Sequence, residues 1–352
     1  MNKIIGSWAI ISLLSLPQLS MAEMDITGIA HLSVDVTDDG SKSSPGNDPD
    51  GVQVVSHKSR IAFSGDEELG PGLAFIWQYE AVFSADTGAF NGNTDDNDNS
   101  IDTWDSYIGL DGSIGSFKGG HMATPYRQAT DPLDIFIDTT ADFNSIFGVN
   151  PNSTNNHDLR ASNILTYQSP DEKKLYGSIA YIADEDQDGV NEPGLSLSVV
   201  FNNQVLYMTA AYQSLKRVGV GGEDDKAIKF GGGWDFGQGT KVGIVWESLD
   251  AGGTNNDRDA YQFNISHLTG NNTFKLAYTV ADDVGGVSDS GASNIAIGLF
   301  HALSRSTEWY GLYTVTNNDT LVGYGLETVP NGAIGENVSA FSFGLRHEFN
   351  NL

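Results

Sequence analysis

The sequence predicts an all-β protein, a 16-stranded antiparallel transmembrane β-barrel with long outer loops and short periplasmic turns. Three observations predict it. Apolar and polar residues alternate in segments of about 9 to 13 residues. The connections between segments alternate between short and long. The face opposite the apolar one carries Glu, Lys, Arg, Gln and Asn, which a water-filled lumen accepts without burying unpaired charge.

Residues 1–22 read as a secretory signal. Lys3 gives the positive start, Ile4 to Leu16 the apolar stretch, and Ser20-Met21-Ala22 the small-residue cleavage site. Residues 23–352 then form one barrel domain. No later segment has about 18 consecutive apolar residues, so a further helical span is not expected.

Strands are expected near 25–35, 53–65, 72–85, 101–111, 115–122, 158–169, 173–184 and 194–203, and then near 204–216, 226–237, 239–249, 258–269, 272–282, 293–304, 307–317 and 337–349. In Leu73 to Phe83, one face carries Leu73, Phe75, Trp77, Tyr79, Ala81 and Phe83, while the other carries Gln78 and Glu80. Phe341, Phe343 and Leu345 likewise oppose Ser342, Gly344 and Arg346. Such strands exceed the roughly 5 or 6 residues usual in soluble sheets and match the roughly 9 to 11 of a tilted bilayer crossing. Short turns include Asp66 to Pro71, Asn202-Asn203 and Gly270-Asn271; long connections include 86–100, 123–157 and 318–336. An even strand number puts both termini on the short-turn rim. Gly231-Gly232-Gly233 inside a strand is read as permitting curvature and close approach at subunit contacts. Trp77, Tyr79, Trp234, Phe236, Tyr261, Trp309, Tyr313 and Phe349 suit the two interfacial girdles. His57, His267 and His347 fall on the lipid-side phase of their strands.

Composition narrows the function. With 18 Lys plus Arg against 46 Asp plus Glu, the net charge is −28, which argues against nucleic-acid binding. The chain has no Cys, so thiolate catalysis and Cys-based zinc sites are excluded. Neither GxSxG nor HExxH occurs, and an enzyme is not expected.

The chain resembles the general, non-specific porins of Gram-negative bacteria. Ser59-Arg60-Ile61-Ala62-Phe63-Ser64-Gly65-Asp66 through Gly72-Leu73, continuing to Trp77-Gln78-Tyr79-Glu80, looks like that family's strand 2, acidic turn and strand 3. Asp105 to Leu110 with Gly115 to His121 resembles strands 4 and 5, and Phe343 to Phe349 the closing strand. The resemblance implies an outer-membrane homotrimer in contact with lipid and lipopolysaccharide, through which small hydrophilic solutes and ions diffuse. It also makes Phe349 the assembly signal, here followed by Asn350, Asn351 and Leu352. Where the family commonly has Gly-Arg-Gln, this chain has Gly120-His121-Met122.

In that family the third loop folds into the lumen, which makes 123–157 the pore-constricting loop. Asp131, Asp134, Asp138 and Asp142 are then candidates to line the constriction, with Phe136, Phe143 and Phe147 packed on the inner wall. The opposing wall would carry Lys58, Arg60 and Arg346, with Lys118, Arg160 and His121 as additions. Facing walls of opposite sign set a transverse field that orients polar solutes. A Lys- and Arg-poor lumen predicts mild cation preference. No cofactor is required. Asp184, Asp186 and Asp188 give a D-x-D-x-D-G run that resembles a calcium loop and marks a candidate Ca2+ site on an outer loop. The competing readings are a substrate-selective outer-membrane channel and a non-conducting adhesin or structural barrel.

Overall fold

A computed structural model describes residues 23–40, 51–88, 103–151, 156–171, 174–183, 193–216, 224–252 and 256–350. The signal segment 1–22 and the candidate calcium ligands Asp184, Asp186 and Asp188 lie outside the described residues.

The first strands are β1 (Glu23–Asp38), β2 (Gly51–Ser56), β3 (Arg60–Gly70), β4 (Leu73–Val82), β5 (Ser106–Gly112) and β6 (Gly115–Ala123). They continue as β7 (Arg160–Gln168), β8 (Leu175–Ile182), β9 (Gly194–Asn202), β10 (Leu206–Leu215), β11 (Asp225–Asp235) and β12 (Thr240–Asp250). The remainder are β13 (Asp257–Thr269), β14 (Asn272–Ala281), β15 (Ala292–Ala302), β16 (Thr307–Asn318), β17 (Tyr324–Leu326), β18 (Val329–Asn331) and β19 (Val338–Phe349). All but β17 and β18 form one 17-segment antiparallel sheet. Both β2 and β3 pair with β1, so they are one interrupted stave and the barrel has 16. It closes where β1 meets β19, with Gly28 opposite Phe349 and Asp38 opposite Ser339. Closure leaves no unpaired sheet edge for the bilayer to meet.

The alternation read from the sequence is the in–out alternation of the wall. On β12, Ile244 is 60% exposed to the outside while Val245 is fully covered inside. On β13, Phe263 points outward between the inward Gln262 and Asn264. Short turns are built from left-handed residues and Asx contacts. Gln204 has φ 73°, and its N–H donates to Asn202 Oδ1 at 2.9 Å.

Two local expectations change. The acidic run Asp66 to Leu69 is not a turn. It continues β3 to Gly70, and only Pro71-Gly72 reverses the chain, with Gly72 at φ 73°. His57 is not on the lipid side. The interruption between β2 and β3, with Lys58 at φ 52°, rotates His57 inward, where its Nε2 lies 2.6 Å from Ser33 Oγ.

The segment after β6 enters the barrel. Thr124 caps the short helix α1 (Pro125–Gln128), accepting from Arg127 N–H at 3.3 Å. Single 3-10 turns follow at Asp131–Leu133 and Phe143–Ser145. The large side chains of the loop meet small ones on the wall. Tyr126 and Ala129 pack on Ala211, Ala227 and Leu249. Phe143 and Phe147 pack on Val245, Ala260 and Ala281, and Phe136 on Ala277, Ala296 and Phe300. The inner wall from β10 to β16 is thereby covered.

Two glycines of the run have a role the sequence did not show. Gly231 and Gly233 face inward and seat the loop: a Cβ on Gly231 would lie 2.5 Å from Leu133 Cδ1, and one on Gly233 2.9 Å from Leu133 Cδ2. Gly231→Val should therefore lift Leu133 off the wall at a cost of about 1–3 kcal/mol. Thermal unfolding and single-channel conductance should both change. Gly232 meets only Ile244 Cγ2 at 3.6 Å, and Gly232→Val should leave both close to wild type. Equal effects from the two variants would contradict the seating.

The connection 319–337 also turns inward. It carries the β17–β18 hairpin, and Thr328 Oγ1 bonds Thr140 Oγ1 at the tip of the constriction loop.

Candidate pore constriction

The constriction loop is fixed at its base by buried charge. Lys229 on β11 stands directly opposite Glu247 on β12. Lys229 Nζ lies 2.7 Å from Asp158 Oδ1 and 3.4 Å from Glu247 Oε2. Arg258 Nη2 lies 3.1 Å from Glu247 Oε1 and donates to Ile146 O at 2.9 Å. Glu247 also accepts from Tyr126 Oη at 2.8 Å and from Gly148 N–H at 2.8 Å. Both ends of the inward loop are thus tied to one carboxylate. None of Lys229, Glu247 and Arg258 was singled out from the sequence.

The tip reaches across to β3. Asp138 Oδ2 accepts from Arg60 Nη1 at 2.9 Å, and Arg60 Nε lies 3.0 Å from Glu80 Oε1. Lys58 Nζ lies 2.7 Å from Glu327 Oε1 and 3.8 Å from Asp142 Oδ2. Burial would raise the Asp138 carboxyl, but Arg60 and Lys58 outweigh it and hold the group below its ordinary value.

Two expected lining carboxylates do not face water. Asp134 accepts from the N–H groups of Phe136 at 2.8 Å and Phe143 at 3.2 Å. Asp142 accepts from Asn144 N–H at 2.9 Å and Asp138 N–H at 3.2 Å. Both are buried because they supply the hydrogen bonds that fold the loop. Burial, reinforced by the neighbouring Asp142, pushes Asp134 well up. Asp131 alone among the four is half-buried rather than buried. Burial pushes its carboxyl up to about 6, with Arg127 opposing the shift.

The uncovered part of the lumen is bounded by β3 to β7. Arg160 lies with its guanidinium carbon 3.5 Å from the centre of the Trp104 ring, and its Nε is 2.9 Å from Asp105 Oδ1. Arg60 and Lys58 stand 5.6 and 5.7 Å from the same ring. Lys118 Nζ lies 4.6 Å from the Tyr107 ring, and His121 Nδ1 is 3.0 Å from Ser162 Oγ. Arg346 sits farther along the inner wall, within reach of the Asp138 carboxylate. Near the short-turn rim, it bonds Glu348 at 2.6 Å and approaches Glu308 at 3.5 Å. Phe349 ends β19 on that rim, its ring over Gly28.

The expected ground for a cation preference, a lumen poor in Lys and Arg, is not met on this wall, since Lys58, Arg60, Lys118 and Arg160 gather there.

The model of a family described as Gram-negative porin matches residues 8–321. Outer membrane porin protein 32 of Delftia acidovorans is 26% identical over 317 residues, which is 83% of this chain and 84% of the relative. Major outer membrane protein P.IB of Neisseria lactamica is 26% identical over 364 residues, 96% and 98% of the two chains. Among solved structures, the anion-selective porin from Comamonas acidovorans superposes with a TM-score of 0.79 at 23% identity, covering 93% of this chain and all of that one. The trimer form of OmpT from Vibrio cholerae gives 0.67 at 15% identity, covering 93% and 99%.

Proposed function

Because the chain belongs to the Gram-negative porin family, an outer-membrane family of 16-stranded barrels, we propose that it is a passive homotrimeric diffusion channel for ions and small hydrophilic solutes. The observation that carries this reading is the inward loop, clamped on β10 to β16, which narrows the lumen and leaves a charged gap along β3 to β7. Solutes pass by size, and polar ones orient between the cations on the wall and the carboxylates beside them. Single-channel recording in planar bilayers tests the reading. Openings that close in three equal steps are expected; a folded barrel that never conducts would reject it in favour of a structural barrel.

Selectivity is weak in this reading. The solved relative is anion-selective, but here Arg60, Arg160 and Lys58 each have a carboxylate within 3.0 Å. Charges so paired present little net field to a passing ion.

Asp131 makes the balance depend on pH. Its carboxyl, raised to about 6, is mostly neutral at pH 5 and mostly ionised at pH 7. Raising the pH across that interval adds one negative charge per protomer at the gap. The zero-current potential in a KCl gradient should move toward cation preference, and Asp131→Asn should remove most of that movement. An undiminished shift in the variant would refute the assignment.

A further inference from the structure

Most inward-facing cations of the barrel are neutralised. Lys58, Arg60, Arg160, Lys229, Arg258 and Arg346 each have a carboxylate partner. Lys275 on β14 differs: among the described residues its ammonium has neither an ion pair nor a hydrogen bond, only ring contacts.

The strand places this residue in the lumen. Its sequence neighbours Phe274 and Leu276 are exposed on the outer wall, whereas Ala277, on the same face as Lys275, is buried inside. The short turn between β13 and β14 is close by, and Phe136 of the constriction loop packs on Ala277, farther from that turn. Lys275 therefore stands on the short-turn side of the loop. Directly opposite it on β15 is Gly298, where a Cβ would lie 3.0 Å from both Phe136 Cε1 and Phe300 Cε2. The missing side chain lets the two rings meet there. Lys275 Nζ lies 3.5 Å from the centre of the Phe300 ring and 5.8 Å from that of Phe136. Ring faces attract the ammonium without neutralising it.

The carboxylates that act on Lys275 have other partners. Asp134 accepts from the N–H groups of Phe136 and Phe143, and Glu308 approaches Arg346. The residue is half-buried, and its nitrogen is not among the shielded atoms, so water and solutes reach it. Lys118 also lacks an ion pair, but Asp105 and Asp111 on its own wall offset its charge. An accessible ammonium that is not neutralised selects for negative charge.

We infer that Lys275 is a specificity-determining residue for anions: its ammonium is a way station for small anions such as chloride on the short-turn side of the constriction. The inference rests on the channel reading above. One unpaired positive charge per protomer tilts an otherwise paired lumen mildly toward anions.

Zero-current potentials of the wild type, Lys275→Gln and Lys275→Arg in planar bilayers test it, measured in KCl gradients around 0.1 M and around 1 M. The field of the ammonium extends about 10 Å in the first and about 3 Å in the second. In the dilute gradient Lys275→Gln should raise the cation-to-anion permeability ratio about threefold, and Lys275→Arg should keep the wild-type ratio. In the concentrated gradient all three should converge. An unchanged ratio for Lys275→Gln in dilute salt would overturn the role and leave the channel standing. A shift just as large in concentrated salt would also overturn it, since that outcome marks a displaced loop and not a lost charge. A wild-type barrel that never conducts would remove the channel reading, and this role with it.

Discussion

Replacing Glu247 by alanine is expected to loosen the whole constriction loop. The substitution removes the shared partner of Lys229, Arg258, Tyr126 and Gly148. Lys229 keeps Asp158, but Arg258 loses its only charged partner among the described residues while remaining 2% exposed. Breaking one side of a buried ion network in this way costs about 3–5 kcal/mol. Chemical unfolding in micelles should shift accordingly, and single-channel traces should show added noise and altered conductance as the loop samples other positions. Tyr126→Phe removes one hydrogen bond from the same cluster and should cost only about 0.5–1.5 kcal/mol, with quiet channels. Wild-type stability and conductance in Glu247→Ala would contradict the clamp.

The second large effect concerns charge. In an Arg60→Gln, Arg160→Gln double variant, Glu80, Asp105 and Asp138 lose the guanidinium groups that neutralise them. The cation-to-anion permeability ratio should rise about tenfold, equivalent to ~1.4 kcal/mol. The reciprocal Asp105→Asn, Asp138→Asn variant frees Arg160 and leaves Arg60 with Glu80 alone, and should shift the ratio the other way. Salt-gradient potentials measure both. Shifts of the same sign in the two variants would show that the selectivity is set elsewhere, for example by the outer acidic loops. Those charges act only within about 8 to 10 Å at ordinary ionic strength.

The barrel was legible because period-two alternation is a direct consequence of a wall with lipid on one side and water on the other. Ile244, Phe263 and Phe343 face outward for the same reason that they alternate with polar residues in the sequence. The loop's aromatics were legible too: Phe136, Phe143 and Phe147 pack on the wall as expected. The destinations of the loop carboxylates were not. Asp134 and Asp142 look like Asp131 in sequence, and only the folded path of the loop decides which of them bonds backbone N–H groups and which meets water. His57 was misplaced because the pattern cannot show that Lys58 adopts a positive φ and resets the phase of the stave. The Lys229–Glu247 pair left a faint signal. Both lie on the inward phase of adjacent hairpin strands, and placing them opposite each other required the register of the Phe236 to Gly239 turn. The hairpin at Tyr324 to Asn331 is too short to show periodicity at all.

The most direct measurement is the zero-current potential of the protein from outer membranes, reconstituted in a planar bilayer under a KCl gradient at pH 7. Conducting channels with a potential close to zero are expected, because the cations of the gap are matched by carboxylates. A potential near the ideal Nernst limit for either ion would contradict a charge-balanced constriction.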